Sequence, residues 1–366
     1  MSEHLSTPRL DHLDPATAQR VLMTISCRDA DNLPKVDGAG EVFEREGASV
    51  QRMHNGVLIE EGCYYGPWMT EIIRVLRGHH EPQEEAVFHE VLERLVATDP
   101  AASMIELGSF WAYYSMWFHQ RTHGNRVVAL EPDPSYLDVG RRNFALNGMD
   151  ARFLHGAIGD SPGRTSSFTA ESTGEAVEVV QYDLASLMKE TGLQRVGLLM
   201  ADIQGFETQL IERAAELFRA GTVRFMILST HHHQISGYAL THQRALERLK
   251  DCGAHVIAEH TVGESYSGDG LIAVSFDERD RDMSVAISHA RAKESLFGEL
   301  EFDLQSVFDE REQLRAVNAE LTARAVAAEQ SAGDALAQLD DVLASRSWRS
   351  TRALRAATRL LPRRNR

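Results

Sequence analysis

Acids and a glycine placed at the ends of neighbouring apolar runs are the first residues in this chain with a chemical use. The run Met104–Leu107 carries Glu106 and passes through Gly108 and Ser109 into a helical stretch. Roughly twenty residues later the run Val127–Leu130 ends in Glu131, Pro132 and Asp133. Glycine at such a turn lets the backbone approach a ligand, and a carboxylate ending the next strand can accept both hydroxyls of a ribose. The sequence contains no GxxxxGK phosphate cradle, and the turn lacks the full GxGxxG that draws a pyrophosphate onto a helix N-terminus. NAD is compatible with the spacing, yet a cofactor without phosphates fits the turn better.

Two further strand ends carry titratable groups. Asp202 follows the apolar run Val196–Ala201, and His231, His232 and His233 follow Phe225–Thr230. Ligands of doubly wound sheets bind at the carboxyl ends of the strands, so both sets belong on the rim that holds Gly108 and Glu131. Imidazole titrates near neutral pH, which makes His231 or His233 a candidate general base. Asp202 could orient that base, bind an acceptor hydroxyl, ligate a divalent ion such as Mg²⁺, or cap the helix that follows it. No ligand set for a metal can be assigned from spacing. Gly156 and Ala157, after the third strand, are small enough for a flat adenine ring to lie against. Tyr64, Tyr65 and Trp68 could stack on a sugar ring, or fill a core. Cys27, Cys63 and Cys252 have neither CxxC nor metal spacing and receive no role.

Short apolar segments at 103–107, 126–130, 151–155, 196–201 and 223–229 must position these groups. Helical stretches at about 112–121, 134–147, 183–190, 205–219 and 241–251 lie between and after them. Such alternation predicts a parallel sheet covered on both faces. Residues 255–262 and 270–276 are too close in sequence for a parallel crossover and should pair antiparallel. Before this block, 56–61 reads as a short strand, while 67–77 and 81–98 read as amphipathic helices.

In order and spacing, residues 81–233 resemble the FkbM family of methyltransferases. The matching stretches are Glu106 to Ser115, Leu130 to Pro134, Asp183 with its neighbours, and Ala201 to Glu207. Phe110, Ala112 and Gln204 stand where the family carries Asn, Gly and Glu. The resemblance implies a class I methyltransferase: a Rossmann-like, doubly wound α/β sheet ending in an antiparallel hairpin. It implies methyl transfer from S-adenosylmethionine to oxygen, commonly a sugar hydroxyl. Glu106, Gly108, Ser109, Glu131, Asp133, Gly156 and Ala157 would then hold the cofactor, and Asp202, His231 and His233 would serve catalysis.

The divisions expected are an N-terminal accessory or substrate-cap region at 1–80, a methyltransferase domain at 81–277, a coiled-coil helix at 285–345 and a basic tail at 346–366. The coiled coil rests on a seam from Leu300 to Val342, spaced alternately by four and three residues, with Asn318 at an a position. It predicts a homo-oligomer. The tail holds eight arginines and no acid; removing that +8 from the net −16 leaves −24 on residues 1–345. So acidic a body argues against nucleic acid as a partner. Ser345 to Arg355 resembles the Ser-x-Ser-Trp-Arg segment that closes many bacterial surface-polysaccharide enzymes. Its arginines with Trp348, Leu354, Leu360 and Leu361 could meet an anionic membrane surface or an acidic partner. No apolar stretch is long enough to span a membrane, so the expected address is cytoplasmic, peripheral to the inner membrane. The expected function is O-methylation of a sugar in surface polysaccharide or glycolipid. Its rivals are a non-catalytic scaffold of a biosynthetic complex and a tailoring enzyme for a glycosylated natural product.

Overall fold

The computed structural model describes residues 7–290 and 300–359 and divides into two units, 1–300 and 301–366. The first unit opens with helix α1 (Pro15–Ser26), whose N-cap Asp14 accepts the amides of Ala16 and Thr17. Three short strands follow as an antiparallel meander: β1 (Val42–Arg45), β2 (Ala48–Arg52) and β3 (Leu58–Glu60). Helices α2 (Pro67–Val75) and α3 (Pro82–Thr98) both begin with proline, whose missing amide costs nothing in a first turn.

The main block then runs β4 (Met104–Leu107), α4 (Tyr113–Arg121), β5 (Val127–Glu131), α5 (Pro134–Leu146) and β6 (Arg152–Ile158). It continues with β7 (Thr165–Thr169), β8 (Ala176–Tyr182), α6 (Leu184–Thr191), β9 (Val196–Ala201), α7 (Glu207–Arg219) and β10 (Val223–Thr230). The last elements are α8 (His233–Ser236), α9 (Thr241–Asp251), β11 (His255–His260) and β12 (Gly270–Ser275). Nine strands form one sheet in the order β11-β12-β10-β9-β4-β5-β6-β8-β7. The chain moves outward from β4 through β5 to β6, then returns to the other flank of β4 as β9 and β10, all parallel. The topological switch point therefore lies at the carboxyl end of β4, between β5 and β9. The expected antiparallel pair β11/β12 is present, with β12 inserted between β10 and β11 and antiparallel to both.

The central strands bury both faces, as parallel strands do. Met104, Leu198, Met200, Phe225 and Ile227 pack into one core with Phe88, Trp117, Phe118 and Phe144. Their alternates Ile105, Leu107, Leu199, Met226 and Leu228 pack into the other with Leu187, Leu210, Ile211, Phe218 and Leu249. The N-terminal residues Val21, Ile25, Met53 and Ile59 belong to the first of these cores, so 7–80 folds into the same unit. A buried clamp reinforces the join. The fully buried Glu85 carboxylate meets His79 Nδ1, His80 Nδ1 (2.7 Å) and the His80 amide (2.7 Å). His54 stacks on His79 at 4.2 Å and reaches the Pro34 carbonyl through Nδ1.

The second unit contains one long helix, α10 (Leu300–Ala344), followed by α11 (Arg346–Ser350) and α12 (Arg352–Arg359). The long helix matches the stretch expected at 285–345 from residue 300 onward; 291–299, and Leu360 and Leu361 of the tail, lie outside the described residues. Ser345 caps α11 by accepting the Trp348 amide, and the Arg355 guanidinium lies 3.6 Å over the Trp348 ring.

Candidate active site

A cavity of about 720 Å³ opens at the switch point. Every cofactor residue expected from the sequence lines it: Glu106, Gly108, Ser109, Glu131, Asp133, Gly156 and Ala157. Their duties within the fold differ. Gly108 has φ +75°, and a Cβ there would stand 1.8 Å from the Asp202 carbonyl oxygen. The close approach that requires glycine is thus to the neighbouring strand end, so that the cofactor turn and Asp202 are set against each other. Gly156 is small for a similar reason, because a Cβ would meet the Val180 carbonyl at 2.7 Å and the Tyr182 ring.

Glu131 accepts the Phe110 amide through Oε2 and the Asp133 amide through Oε1, both at 2.9 Å. Burial pushes its carboxyl up to about 7, and that of Glu106, which accepts the Ser115 amide, up to about 8. Asp133 caps α5 through the Ser135 amide and also receives the amide and hydroxyl of Ser172. Its oxygens are engaged in holding the loop after β7. Ser109 Oγ is buried without a hydrogen-bond partner and belongs to the cavity wall, a donor with capacity for a ligand. The two departures in the turn keep a glycine-like backbone: Phe110 has φ +39° and Ala112 φ +58°. Phe110 stacks on Tyr136 at 3.6 Å between ring centroids.

Asp202 ends β9 on the cavity wall, with its side chain 44% exposed. It does not cap α7, whose N-cap is Phe206. Behind it stands His231, only 4% exposed and outside the lining. Nε2 of His231 lies 2.9 Å from Asp202 Oδ1, and Nδ1 lies 2.6 Å from Oε1 of the fully buried Glu207. Asp269 Oδ1 is 3.9 Å from Nε2. Burial alone would lower this imidazole, but the surrounding carboxylates, Asp202 foremost, push it up to about 11. Carboxylates thus stand on both imidazole nitrogens, and Asp202 lies between His231 and the cavity. His233 opens α8, pairs rings with His232 at 4.0 Å and is absent from the lining.

Of the aromatic residues considered for a sugar ring, Tyr64 and Tyr65 line the cavity and Trp68 does not; sequence reasoning missed their neighbours on that wall, His80, Glu81, Glu84, Trp111 and Tyr114. Tyr64 stacks on Trp111 at 4.5 Å with 12° between planes. Glu84 is buried beside the Ser229 hydroxyl, and burial raises its carboxyl well above the usual range. The acids Glu81, Glu84 and Glu85 at a helix start carried no signal of a site, since such acids ordinarily face water. Eight carboxylic acids line the cavity (Glu81, Glu84, Glu106, Glu131, Asp133, Asp160, Glu171 and Asp202) and, among the described residues, no lysine or arginine does. Close metal-ligand geometry occurs, among the described residues, only at His54, His79 and Glu85, none of which lines the cavity.

A doubly wound sheet with this strand order, closed by an antiparallel final pair and carrying an acid at the end of β5, defines a class I methyltransferase fold. Residues 96–256 match the methyltransferase FkbM domain, so the chain carries a methyltransferase domain of that family. Among solved structures, it is similar to the N-terminal domain of human METTL16 in complex with SAH, at 12% identity over 54% of this chain and 71% of that one, TM-score 0.35. The ribosomal protein L11 methylase of Lactobacillus delbrueckii subsp. bulgaricus gives 14% identity, 53% and 79% coverage, and TM-score 0.33. The precorrin-6y C5,15-methyltransferase of Geobacter metallireducens gives 17%, 52% and 88%, and 0.32. No curated protein matches the chain in sequence.

Proposed function

We propose that the chain transfers a methyl group from S-adenosylmethionine to a hydroxyl of a sugar, in the building of a surface polysaccharide or glycolipid. The observation that carries this reading is the composition of the cavity: aromatic faces and carboxylic acids, with no lysine or arginine among its described lining residues. That wall repels phosphates and suits a sulfonium cation beside a neutral, hydroxyl-rich acceptor. Glu131 would accept ribose hydroxyls, Ser109 offers an unengaged hydroxyl, and Gly156 and Ala157, small residues of the lining, would lie against the adenine. When bound, S-adenosylmethionine supplies an electrophilic methyl group.

The remaining work falls to the chain. Tyr64 and Tyr65 offer ring faces to the apolar side of a sugar, and Glu81 and Glu84 offer groups that bind its hydroxyls. Asp202 accepts the hydroxyl proton as the oxygen is methylated, and its pairing with His231 and Glu207 keeps the carboxylate aimed into the cavity.

Calorimetric titration of the full chain with S-adenosylmethionine, with and without Mg²⁺ and beside Glu131→Ala, tests the first half of the reading. Micromolar binding lost in the variant is expected; no binding in any condition would overturn the enzyme in favour of a scaffold. Transfer of labelled methyl to a panel of polysaccharide and glycolipid acceptors tests the second half. The arginines of α11 and α12 with Trp348 are read as a contact to an anionic inner-membrane surface. No described helix is long and apolar enough to cross a membrane. Deleting 346–366 should abolish membrane association in fractionation, and persistence of association would refute this account of the tail.

A further inference from the structure

We propose that α10 pairs with α10 of a second copy as a parallel, in-register, two-stranded coiled coil. The seam spacing assigns Arg311, Asn318, Ala325, Ala332 and Leu339 to a positions and Val307, Leu314, Leu321, Ala328, Ala335 and Val342 to d positions. The helix is continuous through all of them. Within the second unit its apolar members are uncovered: Val307, Leu314, Leu321, Leu339 and Val342 are each more than half exposed. A row of that length left in water is a face that awaits an equivalent row.

Charge and polarity on the same helix decide which partner and which direction. In a parallel pair, each g residue faces the e residue five positions on in the other strand. Glu310 then meets the partner's Arg315, and Arg324 meets the partner's Glu329; both charged g/e pairs are attractive, and symmetry doubles them. Asn318 faces its own equivalent at an a layer, where two amides hydrogen-bond to each other and select two strands. An antiparallel pair would set each Asn318 against an apolar d residue instead. The other polar a residue, Arg311, already turns out of the seam, with its guanidinium 4.1 Å over the Phe308 ring. The four alanine layers, Ala325, Ala328, Ala332 and Ala335, allow a close approach of two helices and would leave a hole along the axis of three.

The test uses the full chain. Sedimentation at micromolar concentration should give twice the 40.8 kDa of one chain. Val342→Cys should form an intermolecular disulfide on mild oxidation, since an in-register parallel pair brings the two d residues together. Ala337→Cys, on the outer face, should not. Glu310→Arg should weaken dimerisation about tenfold by turning two attractive pairs repulsive, and adding Arg315→Glu should restore it. A monomer, a trimer, or a dimer in which Val342→Cys fails to cross-link would overturn the proposal, as would a double variant no better than the single one.

Discussion

If His231 is an imidazolium held by two carboxylates, its proton must appear in the stability of the protein. Below pH 6.5, the ordinary value for histidine, folded and unfolded chains both hold that proton, and its stabilising effect is fully present. Above it the unfolded chain releases the proton while the native chain keeps it up to about 11, so stability falls as pH rises through that window. Each pH unit removes about 1.4 kcal/mol. Between about pH 7.5 and about pH 9.5 the loss from this one group is therefore about 2.7 kcal/mol. The informative comparison is with the double variant His231→Gln, Glu207→Gln, which leaves no buried carboxylate stranded beside the missing charge. Urea unfolding followed by tryptophan fluorescence, dominated by the buried Trp111 and Trp117, gives stability at several pH values for each protein. The wild type should lose about 2.7 kcal/mol more than the variant across that window. Parallel pH dependences would mean that His231 is neutral in the native state, which would refute its positioning role and return it to candidacy as the base.

Asp202→Asn removes the proton acceptor while keeping shape; kcat should fall by about 10²- to 10⁴-fold with the affinity for S-adenosylmethionine nearly unchanged, measured by initial rates and calorimetry. Gly108→Ala forces a Cβ into the Asp202 carbonyl from a left-handed backbone, so thermal unfolding should show a loss of at least about 2 kcal/mol together with impaired cofactor binding. Arg224→Met strands the fully buried Asp280, which now accepts from Arg224 at 2.7 and 2.9 Å, and should cost about 3–5 kcal/mol in chemical denaturation. The exposed pair of Arg248 and Glu212 provides the control, since Arg248→Met should change stability by no more than about 1 kcal/mol.

The centre of the fold was readable because its strands are buried on both faces and therefore appear as unbroken apolar runs. The runs ending in Glu106, Glu131, Asp202 and His231 became β4, β5, β9 and β10 within a residue or two. The periphery was not readable. Thr165 to Thr169 is a polar, alternately exposed strand at the sheet edge, and β1 and β2 are four and five residues long; neither carries an apolar run. The acidic wall was hidden for a different reason. Glu84 looks like a surface residue until the chain brings Ser229 to it, over a separation of 145 residues. The histidine triplet shows the same limit: spacing located it at the right strand end, but which imidazole faced Asp202 depended on where β10 stopped and α8 turned away.

The position of β12 bears on how this protein could be dissected. Its six residues lie between β10 and β11, so the flank of the sheet cannot assemble until the chain has passed residue 275. The segment recognisable by family, 96–256, stops short of that strand and begins after Tyr64, Glu81 and Glu84. Cut to that segment, the chain would expose the long edge of β10 and open the side of the cavity that holds Tyr64, Glu81 and Glu84. The stretch that matches the family is thus smaller than the compact unit it belongs to. A shortened protein for biochemistry should keep everything from α1 through residue 290, so that Asp280 stays with the buried Arg224, and a domain graft drawn at the family boundaries would carry an unsealed sheet with it.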